Sequence, residues 1–450
     1  MYQMHAKIVR TIASLAAIAM AVGSTSNAAQ VFGNATPHYT VINLGTLGGH
    51  SSSAASINQI GWIAGTSNLA GDQYSEATLW RYGSTIPLGT LGGANSGVDW
   101  PNHNNFGLIA GISETAAVDP LGEDWSCQAF FPTVPDTKHV CVGFKWFGGR
   151  MAALPTLGGV NGYAAGTNDW GQIVGWAETS YHDPTCTAVT KVPNSFYQVL
   201  QFEPVFWDFA GRVHELPTVP GDPDGAATAI NDWGQAVGIS GTCDQAVGRF
   251  SAAHAVIWNN GSVYQLPTFG GISWNTPQDI NNLGEVVGFD NLPGDTSGQF
   301  QPLGFVWTKN GGLQKILPLP GDTNTEAAGV NDFGQVVGVS FNPSNPNALP
   351  RAIIWKNGKT RDLNAYLRAN SSLYLLAASD INDAGDIVGQ ALVMGSSPAQ
   401  TPAFLATPPD RGWDATATTP LRRAILMPML APAVKQRLLR HVVRFGSRFR

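Results

Sequence analysis

One short stretch, Asn168-Asp169-Trp170-Gly171-Gln172-Ile173-Val174-Gly175, recurs along the chain and limits what the chain can fold into. The pattern is Asn, usually a polar residue, any residue, Gly, any residue, two apolar positions and Gly. Its copies begin at Asn58, Asn104, Asn168, Asn231, Asn281, Asn331 and Asn382, and the last three steps are 50, 50 and 51 residues. A fixed period of this size marks a repeat architecture, in which each unit buries its apolar face against its neighbours.

Each copy sits inside a longer unit. Ahead of it lies a run of small and apolar residues, such as Ala226 to Asn231. Behind it come a variable loop and a run ending in Trp, as in Ala77-Thr78-Leu79-Trp80, Pro204-Val205-Phe206-Trp207 and Ala255-Val256-Ile257-Trp258. A Gly-containing turn follows, such as Asn260-Gly261 or Asn357-Gly358, which is a strong hairpin signal. A fourth run then ends at Leu88, Leu154, Leu216, Leu266, Ile316 or Leu363.

Four short apolar runs bounded by turn residues make a four-stranded antiparallel meander. Seven such units predict an all-β fold, a seven-bladed β-propeller of four-stranded antiparallel blades. The run Tyr39-Thr40-Val41-Ile42-Asn43-Leu44 is of the fourth-strand type, yet it precedes the first unit; the seventh unit stops at Pro408 after three strands. The N-terminal strand is therefore expected to complete the last blade, closing the ring and removing two exposed edges. Within this scheme the octet is a hairpin turn, its Asn or Asp bonding the nearby backbone and its first Gly supplying a positive φ. It is expected to be framework.

Composition agrees with short strands and tight turns: charged residues are only 12%, against 52 Gly, 29 Pro and 14 Trp. The chain divides into a signal peptide at 1–28, a short leader at 29–38, the propeller at 39–408 and a basic tail at 409–450. Lys7 and Arg10, the short apolar run Thr11 to Val22 and Ser26-Asn27-Ala28 form the secretory pattern. The apolar run is too short to span a bilayer. Residues 29–408 hold 14 basic and 29 acidic residues, 14 − 29 = −15, whereas 409–450 hold 9 and 2, 9 − 2 = +7. An acidic body argues against a nucleic-acid partner. The expected location is outside the cell, in the periplasm or on the cell surface.

The ordered motifs Leu44-Gly45-Thr46-Leu47-Gly48-Gly49, Asn331-Asp332-Phe333-Gly334-Gln335-Val336-Val337-Gly338 and Gly304-Phe305-Val306-Trp307 resemble the bacterial extracellular repeat family called HAF. The resemblance covers residues 39–407. It implies export and a propeller-like repeat, and it implies no reaction. The chain departs from the pattern at Trp100-Pro101-Asn102-His103, where small residues are usual, and in long insertions at about 113–142 and 177–202.

Four cysteines permit two disulfides in an exported protein, and a C-x-x-C metal spacing is absent. Three pairings are possible. Cys127 and Cys141 share one insertion, and Cys186 and Cys243 occupy equivalent loops of adjacent units, so those two pairs are expected.

The variable loops all fall at one end of the blades, which makes that end the expected recognition face. His50, Asn95, Asn161, Asp222, Asp224, Trp274, Asp322 and Glu326 are the candidate ligand-binding residues near the channel mouth. Trp100, Trp125, Tyr181 and His182 are candidates in the irregular segments. Aromatic faces among carboxylates and amides suit an extracellular glycan or protein; the same loops also suit covering the ends of neighbouring blades. Asp222, Asp224 and Asp322 are the residues a Ca²⁺ ion would use, although no Ca²⁺-loop spacing is present, and no metal or other cofactor is expected. Neither Gly-x-Ser-x-Gly, His-Glu-x-x-His nor a phosphate-cradling loop occurs, so no catalytic residue is expected. The expectation is a monomeric, non-catalytic binding module. A structural envelope protein and a propeller glycoside hydrolase or lyase are the alternatives. In the tail, Val434, Leu438, Val442 and Phe445 alternate with Lys435, Arg437, Arg440 and Arg444, a pattern suited to an anionic membrane surface or to a disordered basic tail.

Overall fold

Seven four-stranded antiparallel sheets follow one another along the chain in the computed structural model. It describes residues 38–123, 127, 130–131, 137–186, 198–243, 253–271, 275–293, 301–345 and 348–409. The signal peptide, almost all of the leader and of the basic tail, Trp125 and Trp274 lie outside those residues. The protein is a seven-bladed β-propeller. A representative blade, the fourth, has strands Asp224–Ile230, Ala236–Gly241, His254–Asn259 and Ser262–Gln265 in that order across the sheet. First strands of adjacent blades touch one another, so they are the innermost and line the central channel.

The closing strand is where the sequence places it. Thr40–Gly45 pairs antiparallel with Ala403–Thr407, Thr40 opposite Thr407 and Ile42 opposite Leu405, and forms the outer strand of blade 7. Tyr39 just before it is buried against Tyr366, their ring centroids 6.5 Å apart.

Both glycines of the octet are required by geometry. The first has a positive φ in every blade, between 66° at Gly334 and 91° at Gly107, as the hairpin turn demands. The last faces a recurrent bulge in the first strand; a Cβ built at Gly175 would lie 1.9 Å from the Tyr163 carbonyl oxygen, and one at Gly238 2.0 Å from that of Ala226. No side chain fits there.

Between the sheets, apolar side chains of one blade mesh with those of the next. Val174 and Leu216 of blade 3 pack with Ala227, Ile230, Val256 and Trp258 of blade 4. The repeated Trp is buried to 1–2% exposure at Trp207 and Trp258, and its indole N–H donates to the linker into its own blade, at Pro155 O and Pro217 O. Burying such a ring stabilises by about 3 kcal/mol, and only a neighbouring blade makes the burial possible.

Blade 2 breaks the rule. Its inner strand ends at Gly97, and residues 98–104 run irregularly. Trp100, expected among the ligand-binding residues, is instead 3% exposed and packs edge-on against Phe130 and Tyr163 at 5.7 and 4.9 Å. An irregular segment of this length needs its own core, and the indole supplies it.

Candidate functional site

At the octet end of the propeller, the turns are bonded to one another all the way round. The leading Asn caps its own turn: Asn231 Oδ1 accepts the N–H groups of Trp233 and Gln235 at 3.1 and 3.0 Å. Its Nδ2 donates to the carbonyl of the next blade's Asn. This contact runs from Asn58 through Asn104, Asn168, Asn231, Asn281, Asn331 and Asn382 back to Asn58 at 2.8–3.2 Å. The second octet residue builds a parallel ring, its backbone N–H donating to the next blade's side chain at 2.6–3.0 Å. The first position needs Asn because its amide must both donate and cap, whereas the second needs only an accepting oxygen, which Asp, Asn or Gln supplies.

These rings surround a mouth of about 240 Å³ whose lining includes Asp169, Asp232, Asp332, Asp383, Asn231 and Asn281. Its floor comes from the irregular blade 2. His103 reaches across the channel and bonds Asp279 of blade 5, Nε2 to Oδ1 2.8 Å. Burial disfavours charge on this imidazole, but Asp279, Asp380 and Asp232 outweigh it and push its pKa up to about 10. Asp380 is buried, which raises its pKa, while His103 pulls it down. Its Oδ2 also accepts the Ile57 N–H at 2.8 Å. An imidazolium held by buried carboxylates therefore bars the channel.

Around the mouth stands an apolar rim. The third octet residue is Ile60, Phe106, Trp170, Trp233, Leu283 or Phe333 in blades 1 to 6, and these side chains are 53–77% exposed. Blade 7 has Ala384 there. The outer hairpins of blades 1 to 3 add Tyr82, Phe147 and Phe209 on the same end, at 84%, 60% and 83% exposure. Nine large apolar side chains exposed on one end, in a ring broken at blade 7, are unusual on a solvent-facing surface.

The opposite, loop-bearing end holds the residues that the sequence offers for recognition, and it uses most of them internally. Asn95 and Asn161 are fully buried; their Oδ1 atoms accept N–H groups of Ser75 and Cys141 in the preceding blade at 2.9 and 3.0 Å. Asp224 does the same for Phe202 N–H at 3.0 Å. Glu326 is 4% exposed. Asp222 accepts from Ser240 Oγ and meets His254 Nδ1, both at 2.7 Å, and Asp322 holds Ser340 Oγ and the Arg351 guanidinium, also at 2.7 Å. His50 bonds Asp72 at 2.5 Å and keeps 44% of its side chain exposed. Of the candidates within the described residues, Tyr181 and His182 are the freely exposed ones. The carboxylates suggested for Ca²⁺ are thus engaged by protein donors. Asn95, Asn161 and Asp224 clamp blades together because the first strand's entry must be tied to its neighbour.

The disulfides are Cys127–Cys141 and Cys186–Cys243, as expected, with Cα separations of 5.5 and 4.9 Å. Asp183 lies beside the second pair, whose paired sulfurs are not thiolate ligands. Buried carboxylates gather nearby. Glu178 accepts Val160 N–H, Asn161 N–H and Asn161 Nδ2 at 3.1, 2.8 and 3.0 Å, yet burial and then the charge of Glu123 raise its pKa. Glu203 is pushed up to about 8 by burial and by Glu215.

The residues missed from sequence are those of the rim and the plug. The signal for the rim was present, since the third octet position is apolar in seven of seven copies although the turn sets no requirement on it. His103 was legible only as a departure from the repeat.

No protein-family model matches this chain, and no curated protein matches it. Among solved structures it is similar to a streptogramin B lyase at 10% identity, covering 82% of this chain and 98% of that one with a TM-score of 0.43. It is similar to virginiamycin B lyase from Staphylococcus aureus at 8% identity, covering 82% and 99%, TM-score 0.43. It is also similar to the β-propeller domain of the Trilobed protease from Pyrococcus furiosus at 11%, covering 80% and 98%, TM-score 0.42. At this identity the likeness concerns the fold alone.

Proposed function

We propose that this chain is an exported, non-catalytic binding module that meets its ligand with the octet end. The rim carries this reading. Its side chains do nothing the turn requires, since blade 7 makes the same turn with Ala384, Asn382 capping Asp386 N–H at 3.0 Å and Gly385 at φ 80°. Six large apolar residues held in water around an acidic mouth fit a surface that is covered in use. The amides and carboxylates of the mouth bond mainly to each other, which leaves few open groups for sugar hydroxyls. That balance favours a protein ligand with an apolar contact ring and a basic centre over a glycan. Export rests on the N-terminal pattern and the HAF resemblance, and the two disulfides suit an oxidising compartment.

Two substituted chains test the choice of end: Trp170→Ala/Trp233→Ala/Phe333→Ala, and Tyr181→Ala/His182→Ala. Each is compared with the unsubstituted chain by crosslinking to extracellular proteins and on a glycan array. Binding lost only in the first supports the octet end. Binding lost only in the second, or release of reducing ends from a polysaccharide, would overturn the reading.

A further inference from the structure

We propose that the chain's own basic segment, residues 433–445, docks on the octet end and covers the rim. The proposal rests on the octet end being a binding surface, and it names the occupant. The first observation is where the chain leaves the propeller. Third strands run toward the octet end, and in blade 7 Ala406 lies opposite Ile387, next to the turn. Pro408 is buried against that turn, its Cγ 3.4 Å from where a Cβ on Gly385 would be. The tail therefore starts beside Ala384, the gap in the rim.

Charge and pattern supply the second observation. The tail carries 9 basic and 2 acidic residues, while the mouth presents Asp169, Asp232, Asp332 and Asp383. Val434, Leu438, Val442 and Phe445 recur at helical spacing and offer an apolar stripe to the rim. Lys435, Arg437, Arg440 and Arg444 flank that stripe and can turn toward the carboxylates. Reach is no obstacle, since the residues between 408 and 433 extend to roughly 80 Å. Tethering at the edge of its own site gives such a segment an effective concentration of about 1 mM, so even an intrinsic Kd near 0.1 mM leaves it about nine-tenths docked. An external ligand must then displace it.

The test uses a fluorescein-labelled peptide of residues 430–450 and fluorescence anisotropy on full-length chains. Leu438→Glu/Val442→Glu frees the rim in cis, and the peptide is expected to bind that chain about tenfold more tightly than the unsubstituted one. Adding Trp170→Ala/Trp233→Ala to the freed chain should weaken binding at least about tenfold, with the thermal midpoint lowered only slightly, since both side chains are exposed and the one bond lost is that from the Trp233 indole to Asn282 O. Equal binding to the first two chains, no binding to either, or binding that survives loss of both indoles overturns the proposal. So does a peptide that partitions onto phosphatidylglycerol vesicles and ignores the propeller. If an external ligand needs Trp170 and Trp233 while the peptide binds nowhere, the tail falls and the octet-end reading stands.

Discussion

At the octet end of this propeller every blade presents the same hairpin, and the hairpins are bonded to one another in two closed rings. The loop end is uneven: two disulfides and buried carboxylates crowd blades 2 to 4, and its shared contacts, such as Ser240 to Asp222 and Ser340 to Asp322, join only some of the blades. Variability at the loop end suggests recognition there. The structure gives much of that variability a structural task instead, with Asn161 and Asp224 tying blade to blade. Repetition at the octet end suggests framework, and six of its eight positions are framework, while the fifth bonds the leading Asn in five blades. The remaining freedom sits at the third position, where a rigid ring displays large apolar groups at fixed intervals.

The contrast can be broken first at its most rigid point. Gly238→Val would place atoms against the Ala226 carbonyl, and we expect a loss of about 4 kcal/mol or more, read as denaturant midpoint. An unchanged midpoint would mean that the bulge yields.

Next come the two kinds of asparagine. Asn231→Ala removes the turn cap and one ring contact and should cost about 2–3 kcal/mol; Asn95→Ala, which removes a clamp whose Oδ1 accepts the Ser75 N–H at the loop end, should cost about 1–2 kcal/mol. If Asn95→Ala is the more damaging, the ring is not the chief fastening.

The loop end should also impose a pH dependence. The Glu203 carboxyl titrates near 8 in the fold, above its ordinary value of 4.5, so the native state binds more protons than the unfolded chain. Its contribution is therefore fully present below about 4.5 and is lost as pH rises toward 8. His103, raised from 6.5 to about 10, acts in the same direction over the higher range. The thermal midpoint should fall by several degrees between pH 5 and pH 8, and Glu203→Gln should flatten that slope. A midpoint that rises with pH would contradict the burial of these groups.

The smallest expected effect is the most informative for function. Trp170→Ala should change stability by no more than about 0.5 kcal/mol and Trp233→Ala, which also loses the indole bond to Asn282 O, by no more than about 1 kcal/mol, since the indoles are 70% and 77% exposed. Ligand binding should nonetheless suffer. A large loss of stability would make the rim part of the fold and remove the reason to call it a surface for partners.

The blade number, the four strands of each unit, the strand completed from the N-terminus and both disulfides were legible in the sequence. Each rests on a local or periodic signal: turn glycines, alternating apolar runs, the spacing of the Trp. The candidate site was mostly not legible, for a particular reason. Asn95, Asn161, Asp222 and Asp224 have the composition of a ligand site, and sequence cannot tell an amide aimed at a ligand from one aimed at the neighbouring blade. His103 shows the converse, because a lone His in an irregular segment gives no sign that it will meet Asp279 three blades away.

By itself, then, the sequence determined the ring: period, strand count and closure follow from short-range preferences summed over seven units. Only the tertiary structure showed that one end carries an exposed apolar rim while most of the loop-end candidates are spent on internal bonds. The side chain of the octet's third residue points away from the bonds of its own turn, Trp233 reaching instead to Asn282 O of the next one, and its meaning appears when seven turns are set around one axis. The channel plug is decided in the same way, since a side chain of blade 2 and a carboxylate of blade 5 become neighbours only when the ring closes.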